Sequence, residues 1–146
     1  MGTLAVTRRP GFRLLAHTAD IGLEATAPSR AGLFVAAAEG FKALVYGDSP
    51  ATVVSRHPVR LAAGDGAELL VAWLNEILFL CEVERLVPAS FEIVEFTAQT
   101  LNAVVGGEPF DPARHVVERT AKAVTYHQAV AEERQSGWYA RVYIDL

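Results

Sequence analysis

The end of the chain alternates between apolar and polar side chains. Apolar residues occupy every second position, at Trp138, Ala140, Val142, Ile144 and Leu146. A period of two is typical of a strand with one buried face. The alternation therefore predicts a strand that continues to Leu146 and carries Asp145 on its polar face.

Two longer stretches show the spacing of a helix instead. The first, residues 30–46, has apolar residues at Leu33, Ala37, Phe41 and Leu44. Ser29 precedes it and Gly47 follows it, and these residue types commonly begin and end helices. The second runs from Glu68 to about Arg85, with apolar residues at Leu70, Leu74, Ile77 and Cys81. Both patterns predict helices with an apolar face in the core.

The remaining apolar segments are short and predict strands. They cover residues 12–16, 21–27, 52–62, 90–97, 99–107, 121–135 and 138–146. The sequence GGEPFDP, residues 106–112, is rich in glycine and proline and predicts a loop. The resulting order is β-β-α-β-α-β-β-β-β, in which most strands are neighbours in the sequence. This order predicts a two-layer α+β fold, a mostly antiparallel sheet with two helices packed on one face.

The length of the chain fits one domain. At 146 residues it is long enough to bury a core without disulfides. Residues 1–11 precede the first predicted strand and are expected to form a flexible N-terminal leader. Residues 12–146 are then expected to form the single domain.

Composition excludes several classes of protein. Hydrophobic residues make up 51% of the chain, but Asn75 and Glu76 interrupt the longest apolar runs before they reach the roughly 18 residues of a membrane span. A net charge of −4 argues against general binding to DNA or RNA. The single cysteine, Cys81, excludes an internal disulfide and fits a reducing compartment. We therefore expect a cytoplasmic protein with no membrane or DNA partner.

Carboxylates near the end of the chain suggest a cation site. Asp145 lies beside Leu146, whose main-chain carboxylate is expected to add a second anionic group. If Asp20, in the corner HTAD between two predicted strands, lies close to them, three carboxylates converge and need a counter-charge. All-oxygen ligation suits Mg²⁺, Ca²⁺ or Mn²⁺ better than zinc. The alternative is that Asp20 caps a turn and Asp145 is simply solvated.

Other polar residues are weaker candidates for chemistry. Arg114 follows the GGEPFDP segment together with His115 and could meet a phosphate or a protein partner. Lys122 could provide a counter-charge to the carboxylates, although a surface lysine is more common. Asn75 and Glu76 are expected on the solvated side of the second helix. No phosphate-binding loop, nucleophile elbow or His-Glu-x-x-His motif is present, so no catalytic residue is assigned.

Several motifs taken together resemble a known family. They are HTADIGLEATA, the Leu-Phe…Ala-Ala helix, LLVAWLNEILFLCEVERL, GEPFDPARH, KAVTYH and WYARVYIDL. In this order, and over nearly the whole chain from Phe12 to Leu146, they resemble the archease family. The resemblance places a metal site on the side chains of Asp20 and Asp145 and on the main-chain oxygens of Leu146.

The resemblance also implies a function. It indicates a protein cofactor, not an enzyme, that activates the GTP-dependent 3′-phosphate RNA-splicing ligase. The activator promotes guanylylation of the ligase's active-site histidine and so supports multiple turnover. The ligase joins 2′,3′-cyclic-phosphate or 3′-phosphate RNA ends to 5′-hydroxyl ends, so RNA is met only indirectly, through the ligase. Arg114 and Lys122 are candidates for partner or phosphate contact, whereas His17 and His127 are not expected to bind the metal.

Two other functions stay open. The chain could be a free-standing hydrolase in which Asp20 and Asp145 hold a cation that activates water. No residue near the proposed cluster is an obvious general base for that reaction. It could also be a chaperone-like interaction module, in which the high apolar content marks a binding surface.

Overall fold

The structure, a computed structural model, describes residues 4–9, 11–16 and 20–146. The helices and strands follow one another in the order β1 (Leu4–Arg9), β2 (Phe12–Ala16), β3 (Asp20–Ala27), α1 (Arg30–Tyr46), β4 (Ser55–Ala62), α2 (Gly66–Glu82), β5 (Leu86–Phe96), β6 (Thr100–Pro109), β7 (Ala123–Arg134) and β8 (Gly137–Asp145). No helix in these ranges is long and apolar enough to span a membrane.

The strands form two antiparallel sheets. One has five strands in the order β1-β2-β3-β8-β7, and the other has three in the order β4-β6-β5. Both helices contact strands of both sheets. The predicted α+β class is confirmed. The division into two sheets was not predicted, because alternation within a strand does not say which strand lies beside it.

Helix α1 has the bounds that its sequence predicts. The Ser29 side chain accepts a hydrogen bond from the Gly32 amide at 3.0 Å, and Gly47, with φ 57°, ends the helix. Buried residues lie on several sides of α1, since it packs against both sheets. At Gly40 any side chain would collide with Leu23 and Phe12, so glycine lets α1 approach the five-stranded sheet closely.

One large side chain of α2 contacts both α1 and the three-stranded sheet. Trp73 is fully buried, and its indole Nε1 donates to the Phe34 carbonyl of α1 at 2.9 Å. The indole ring also meets Phe91 of β5 edge-on, with centroids 6.2 Å apart. The Asp65 carboxylate caps the start of α2 by accepting from the Glu68 amide at 2.8 Å. The Trp73 contacts connect α2 to α1 and to β5, and the Asp65 cap fixes where α2 begins.

Some predicted boundaries were wrong. Helix α2 ends at Glu82 rather than near Arg85, because Arg85 has φ 56°, which a right-handed helix does not accommodate. The loop predicted to begin at Gly106 instead begins after Pro109, where β6 ends. Gly107 serves close packing rather than a turn, since a Cβ there would overlap the Val87 carbonyl of β5.

The two ends of the chain also differ in detail from expectation. Residues Leu4–Arg9, inside the predicted leader, form strand β1 and pair with β2. The boundary between leader and domain stays a prediction. At the other end β8 stops at Asp145, one residue before the predicted end of the strand.

Candidate functional site

Asp20 and Asp145 meet across two neighbouring strands. In the antiparallel pairing of β3 with β8, Asp20 is the direct partner of Asp145. Side chains of directly opposed residues point to the same face of a sheet, with Cβ atoms about 4.5–5.5 Å apart. Asp20 is half-buried and Asp145 is exposed. The structure therefore brings together the two aspartates that the sequence singled out; we call Asp20, Asp145 and Leu146 the acidic tip.

Leu146 and the HTAD corner complete this region. Leu146 directly follows Asp145 and is 37% exposed. Of the HTAD motif, only Asp20 lies within the described residues, and His17 lies outside them. The expectation that His17 is not a metal ligand therefore stays a prediction.

Lys122 lies beside the acidic tip. Its backbone amide donates to the Asp145 carbonyl at 2.8 Å, and the next residue, Ala123, is the strand partner of Asp145. The Lys122 side chain is exposed. This placement is compatible with a counter-charge, and that role for Lys122 stays a prediction.

Asn75 supports the acidic tip from α2. Its side-chain Nδ2 donates to the Val124 carbonyl, and the Val124 amide donates to its Oδ1, both at 3.0 Å. Val124 pairs with Ile144, the neighbour of Asp145. Among the strands that the structure describes, β7 lies at the edge of its sheet, so at Val124 the Asn75 amide makes the hydrogen bonds that a neighbouring strand would make. The prediction that Asn75 faces solvent was wrong. A single amide side chain within an apolar helix was the sequence feature that could have indicated a hydrogen-bonding role.

Arg114 belongs to a second polar cluster. Its Nη2 atom donates to Glu108 Oε1 at 2.9 Å, and the Thr52 amide donates to the same oxygen at 3.0 Å. The Arg114 hydrogen bond is the main reason why the pKa of Glu108 lies below its ordinary value. About 44% of the Arg114 side chain remains exposed, so its predicted contact with a partner is sterically open.

His115 is not available to a partner. It is 2% exposed, and its ring stacks at a tilt on Phe110 with centroids 5.8 Å apart. Its Nδ1 accepts from the Asp111 amide at 2.9 Å, while Nε2 lies 3.4 Å from Glu108 Oε1. The suggestion that His115 meets a phosphate or partner was wrong. Its ring is buried and contacts Asp111, Glu108 and Phe110, which stabilises the segment after β6.

A third cluster, missed in the sequence, lies on the same face as the acidic tip. Glu24 of β3 forms an ion pair with Arg13 of β2, and the Tyr139 hydroxyl of β8 donates to Glu24 Oε2 at 2.6 Å. Burial raises the pKa of Glu24, but the hydrogen bonds from Tyr139 and Arg13 outweigh it and leave the pKa below its ordinary value. In the sequence, only the alternation of polar residues in β2, β3 and β8 indicated that these side chains share one face.

The donors of the acidic tip fit a hard cation in part. Among the described residues, no group of three or more His, Cys, Asp or Glu side chains is arranged to hold a metal ion. Asp20 and Asp145 provide two side-chain carboxylates, and like charges in direct opposition are destabilising unless something neutralises them. Oxygen donors suit Mg²⁺, Ca²⁺ or Mn²⁺. Main-chain oxygen from Leu146 and water would have to complete the coordination.

Comparison with known proteins decides the family. Residues 12–146 match the model of the Archease protein family. This chain belongs to the archease family. It is 32% identical to the archease of Methanosarcina mazei over 139 residues, which cover 92% of this chain and 95% of that protein. It is also 32% identical to the archease of Methanopyrus kandleri over 133 residues, covering 89% and 95%.

Solved structures show the same archease fold. Protein 1598 of Methanobacterium thermoautotrophicum, a solution structure, superposes with a TM-score of 0.80 at 25% identity, covering 94% of this chain and 100% of that one. A crystal structure from Thermotoga maritima, described as an archease and possible chaperone, has a TM-score of 0.58 at 16% identity, covering 96% and 98%. The second comparison supports the fold alone.

Proposed function

We propose that this archease is a metal-binding activator of the GTP-dependent 3′-phosphate RNA-splicing ligase. The observation that supports the proposal best is the direct opposition of Asp20 and Asp145. Two carboxylates held side by side at the exposed end of a sheet form a preorganised anionic site for a divalent cation. Membership of the archease family favours a role as a protein cofactor.

In this proposal the acidic tip acts by holding a divalent cation in a fixed position. Asp20 and Asp145 would each offer carboxylate oxygen, and Leu146 main-chain oxygen, to Ca²⁺, Mg²⁺ or Mn²⁺. A bound divalent cation supplies positive charge that stabilises and orients phosphate oxygens. Asn75 anchors β7 to α2, and the Lys122 amide ties the segment before β7 to Asp145. In this proposal these bonds let the carboxylates enter the partner's active site in a fixed geometry. The side chain of Lys122 is the nearest candidate to balance their charge or to meet a phosphate.

The proposal is tested by mixing this protein with the ligase of the same organism, GTP, Mn²⁺ and a 3′-phosphate RNA. We expect the ligase alone to stall after about one turnover and the mixture to turn over many times, with faster guanylylation of the ligase. Asp20→Ala and Asp145→Ala should remove this effect while far-ultraviolet circular dichroism stays unchanged. Glu92→Gln, on the exposed surface of β5, is the matched control. Full activation by both aspartate variants would refute the proposal.

A second experiment separates the main-chain oxygens of Leu146 from the aspartates. Adding a short Gly-Ser extension after Leu146 removes any free carboxylate there but keeps its amide oxygen. Reduced activation would assign a role to the carboxylate. Full activation by the extended protein, combined with failure of Asp145→Ala, would confine the site to the side chains.

A chaperone-like role is a second candidate. The Thermotoga maritima protein of the same fold is described as a possible chaperone, and this protein exposes several large apolar side chains, including Val54, Val83 and Val116. This role predicts that the purified protein suppresses the heat aggregation of unrelated proteins such as citrate synthase. Such suppression, unchanged in Asp145→Ala, would favour the chaperone. Hydrolysis of phosphorylated RNA by the protein alone would instead favour the hydrolase.

A further inference from the structure

A groove of about 430 Å³ adjoins the acidic tip. One wall is residues 116–122, which connect the segment after β6 to β7 and which we call the strap. The residues that line the groove are Val45, Tyr46, Leu78, Cys81, Glu82, Arg85, Phe110, Val117, Arg119, Thr120 and Ala121. They come from α1, α2, the turn between α2 and β5, the segment after β6 and the strap, so the groove exists only in the folded protein.

The strap is fixed along its length. The Glu118 amide donates to the Val45 carbonyl at 2.7 Å, and the Val116 amide donates to Ser49 Oγ at 3.0 Å. At its far end the Lys122 amide donates to the Asp145 carbonyl at 2.8 Å. The strap, which forms one wall of the groove, thus ends beside Asp145 of the acidic tip.

The floor of the groove is apolar. Tyr46, Leu78 and Cys81 are buried beneath it, as is Ala121 of the strap. Val117, in contrast, is 50% exposed on the wall. Single exposed valines are ordinary on protein surfaces, but here the valine faces a concave apolar surface. A groove of this size and composition suits one apolar side chain with its flanking backbone.

Two arginines give the groove a positive rim in a protein whose net charge is −4. The Arg85 guanidinium lies 5.1 Å from the centroid of the Phe110 ring, and Arg119 lines the strap side. Within the part of the chain that the structure describes, neither side chain forms an ion pair with a carboxylate. Glu82 is the acidic residue of the lining. The rim is therefore complementary to a negative charge on a bound chain.

We propose that this groove binds an extended segment of the protein partner, with an apolar side chain on the floor and an adjacent carboxylate on Arg85 or Arg119. The inference rests on the proposed function, because it assigns the groove to the partner that the acidic tip serves. The groove supplies affinity and the acidic tip supplies activation. The two contributions are consequently separable by mutation.

Binding and activation are measured with the same ligase. Arg119→Glu and Val117→Asp should each raise the Kd for the ligase at least tenfold, and the concentration for half-maximal activation by the same factor. Maximal activation at saturation should stay unchanged. Asp145→Asn should do the opposite, losing maximal activation while keeping the Kd. Arg60→Glu, an exposed charge reversal on β4, is the matched control, and Arg119→Lys should keep most of the affinity.

A probe that does not need the ligase tests the chemistry of the groove separately. The peptide acetyl-Gly-Leu-Asp-Gly-amide should shift the NMR amide signals of Val117, Arg119 and Ala121, whereas the same peptide with Lys in place of Asp should not. These shifts should be absent in Arg119→Glu. If neither peptide shifts them, the inference is overturned, whatever the activation assay shows.

The two hypotheses fail in different ways. An unchanged Kd in both Arg119→Glu and Val117→Asp, with activation intact in the wild type, overturns the groove and leaves the activator. Absence of activation and of ligase binding in the wild type overturns the proposed function. Peptide shifts would then still support the groove as a site for acidic, apolar segments.

Discussion

Asp20 of β3 lies directly opposite Asp145 of β8, although most of the chain separates them in sequence. Strand pairing of this kind fixes both side chains on one face of the sheet. Two like charges are thus held together by the fold rather than by attraction. Like charges in direct opposition repel each other, and this repulsion leads to the first prediction.

Neutralising either aspartate should stabilise the metal-free protein. We expect Asp20→Asn or Asp145→Asn to raise the free energy of unfolding by roughly 0.2–1 kcal/mol in EDTA, because direct opposition of like charges is removed. With Ca²⁺, Mg²⁺ or Mn²⁺ at about 100 times its Kd, the wild type should gain about 2.7 kcal/mol. The variants should gain much less. Thermal unfolding with and without each ion measures both effects.

The control for this experiment is Glu92→Gln, which removes an exposed carboxylate from the other sheet. It should respond to the ions as the wild type does. Equal stabilisation of wild type and both aspartate variants by every ion would show that the acidic tip is not the binding site.

Replacing Asn75 should loosen the edge strand beside the acidic tip. Asn75→Ala leaves the amide and carbonyl of Val124 without partners at a half-buried site, which costs about 1–3 kcal/mol. Urea denaturation measures this loss, and hydrogen exchange of the Val124 amide should accelerate more than that of amides in β2. Glu76→Gln on the same helix should change neither. Slow exchange of Val124 in Asn75→Ala would contradict this assignment.

Glu24 should make stability depend on acidity. Its pKa is lower in the folded protein than its ordinary value of 4.5, so its contribution is complete above that value. The contribution is lost as pH falls through the folded pKa, because protonation weakens the contacts with Arg13 and Tyr139. In Glu24→Gln this part of the pH dependence should disappear. Melting temperatures from pH 7 down to pH 3 measure the difference, and parallel curves would refute the prediction.

Cys81 should be inert in the folded protein. Burial raises the pKa of its thiol to about 12, and the thiolate is the reactive form. Relative to a thiol at the ordinary value of 9.0, alkylation by iodoacetamide at pH 8 should be slower by about a thousandfold. Mass spectrometry follows the reaction with and without urea. Comparable rates in both conditions would show that Cys81 is more accessible than the structure indicates.

The local pattern of apolar and polar residues was enough to predict several helices and strands. Residues 30–46 and Phe12–Ala16 were predicted with the bounds that the structure gives, because helical spacing and a capping serine are local properties. The glycine-rich segment at Gly106 misled the same reasoning. Glycine serves both turns and close packing, and only the position of Val87 on the neighbouring strand distinguishes them.

The sequence by itself determined the kinds of element from Phe12 onward, the α+β class and the polar positions of Asp20 and Asp145. Only the tertiary structure decided the two sheets, the β3–β8 register that opposes these aspartates, the burial of His115 and the bonds of Asn75 to Val124. Periodicity reports which face of an element is apolar. It does not report which element lies beside it, because that choice depends on packing between residues distant in the chain.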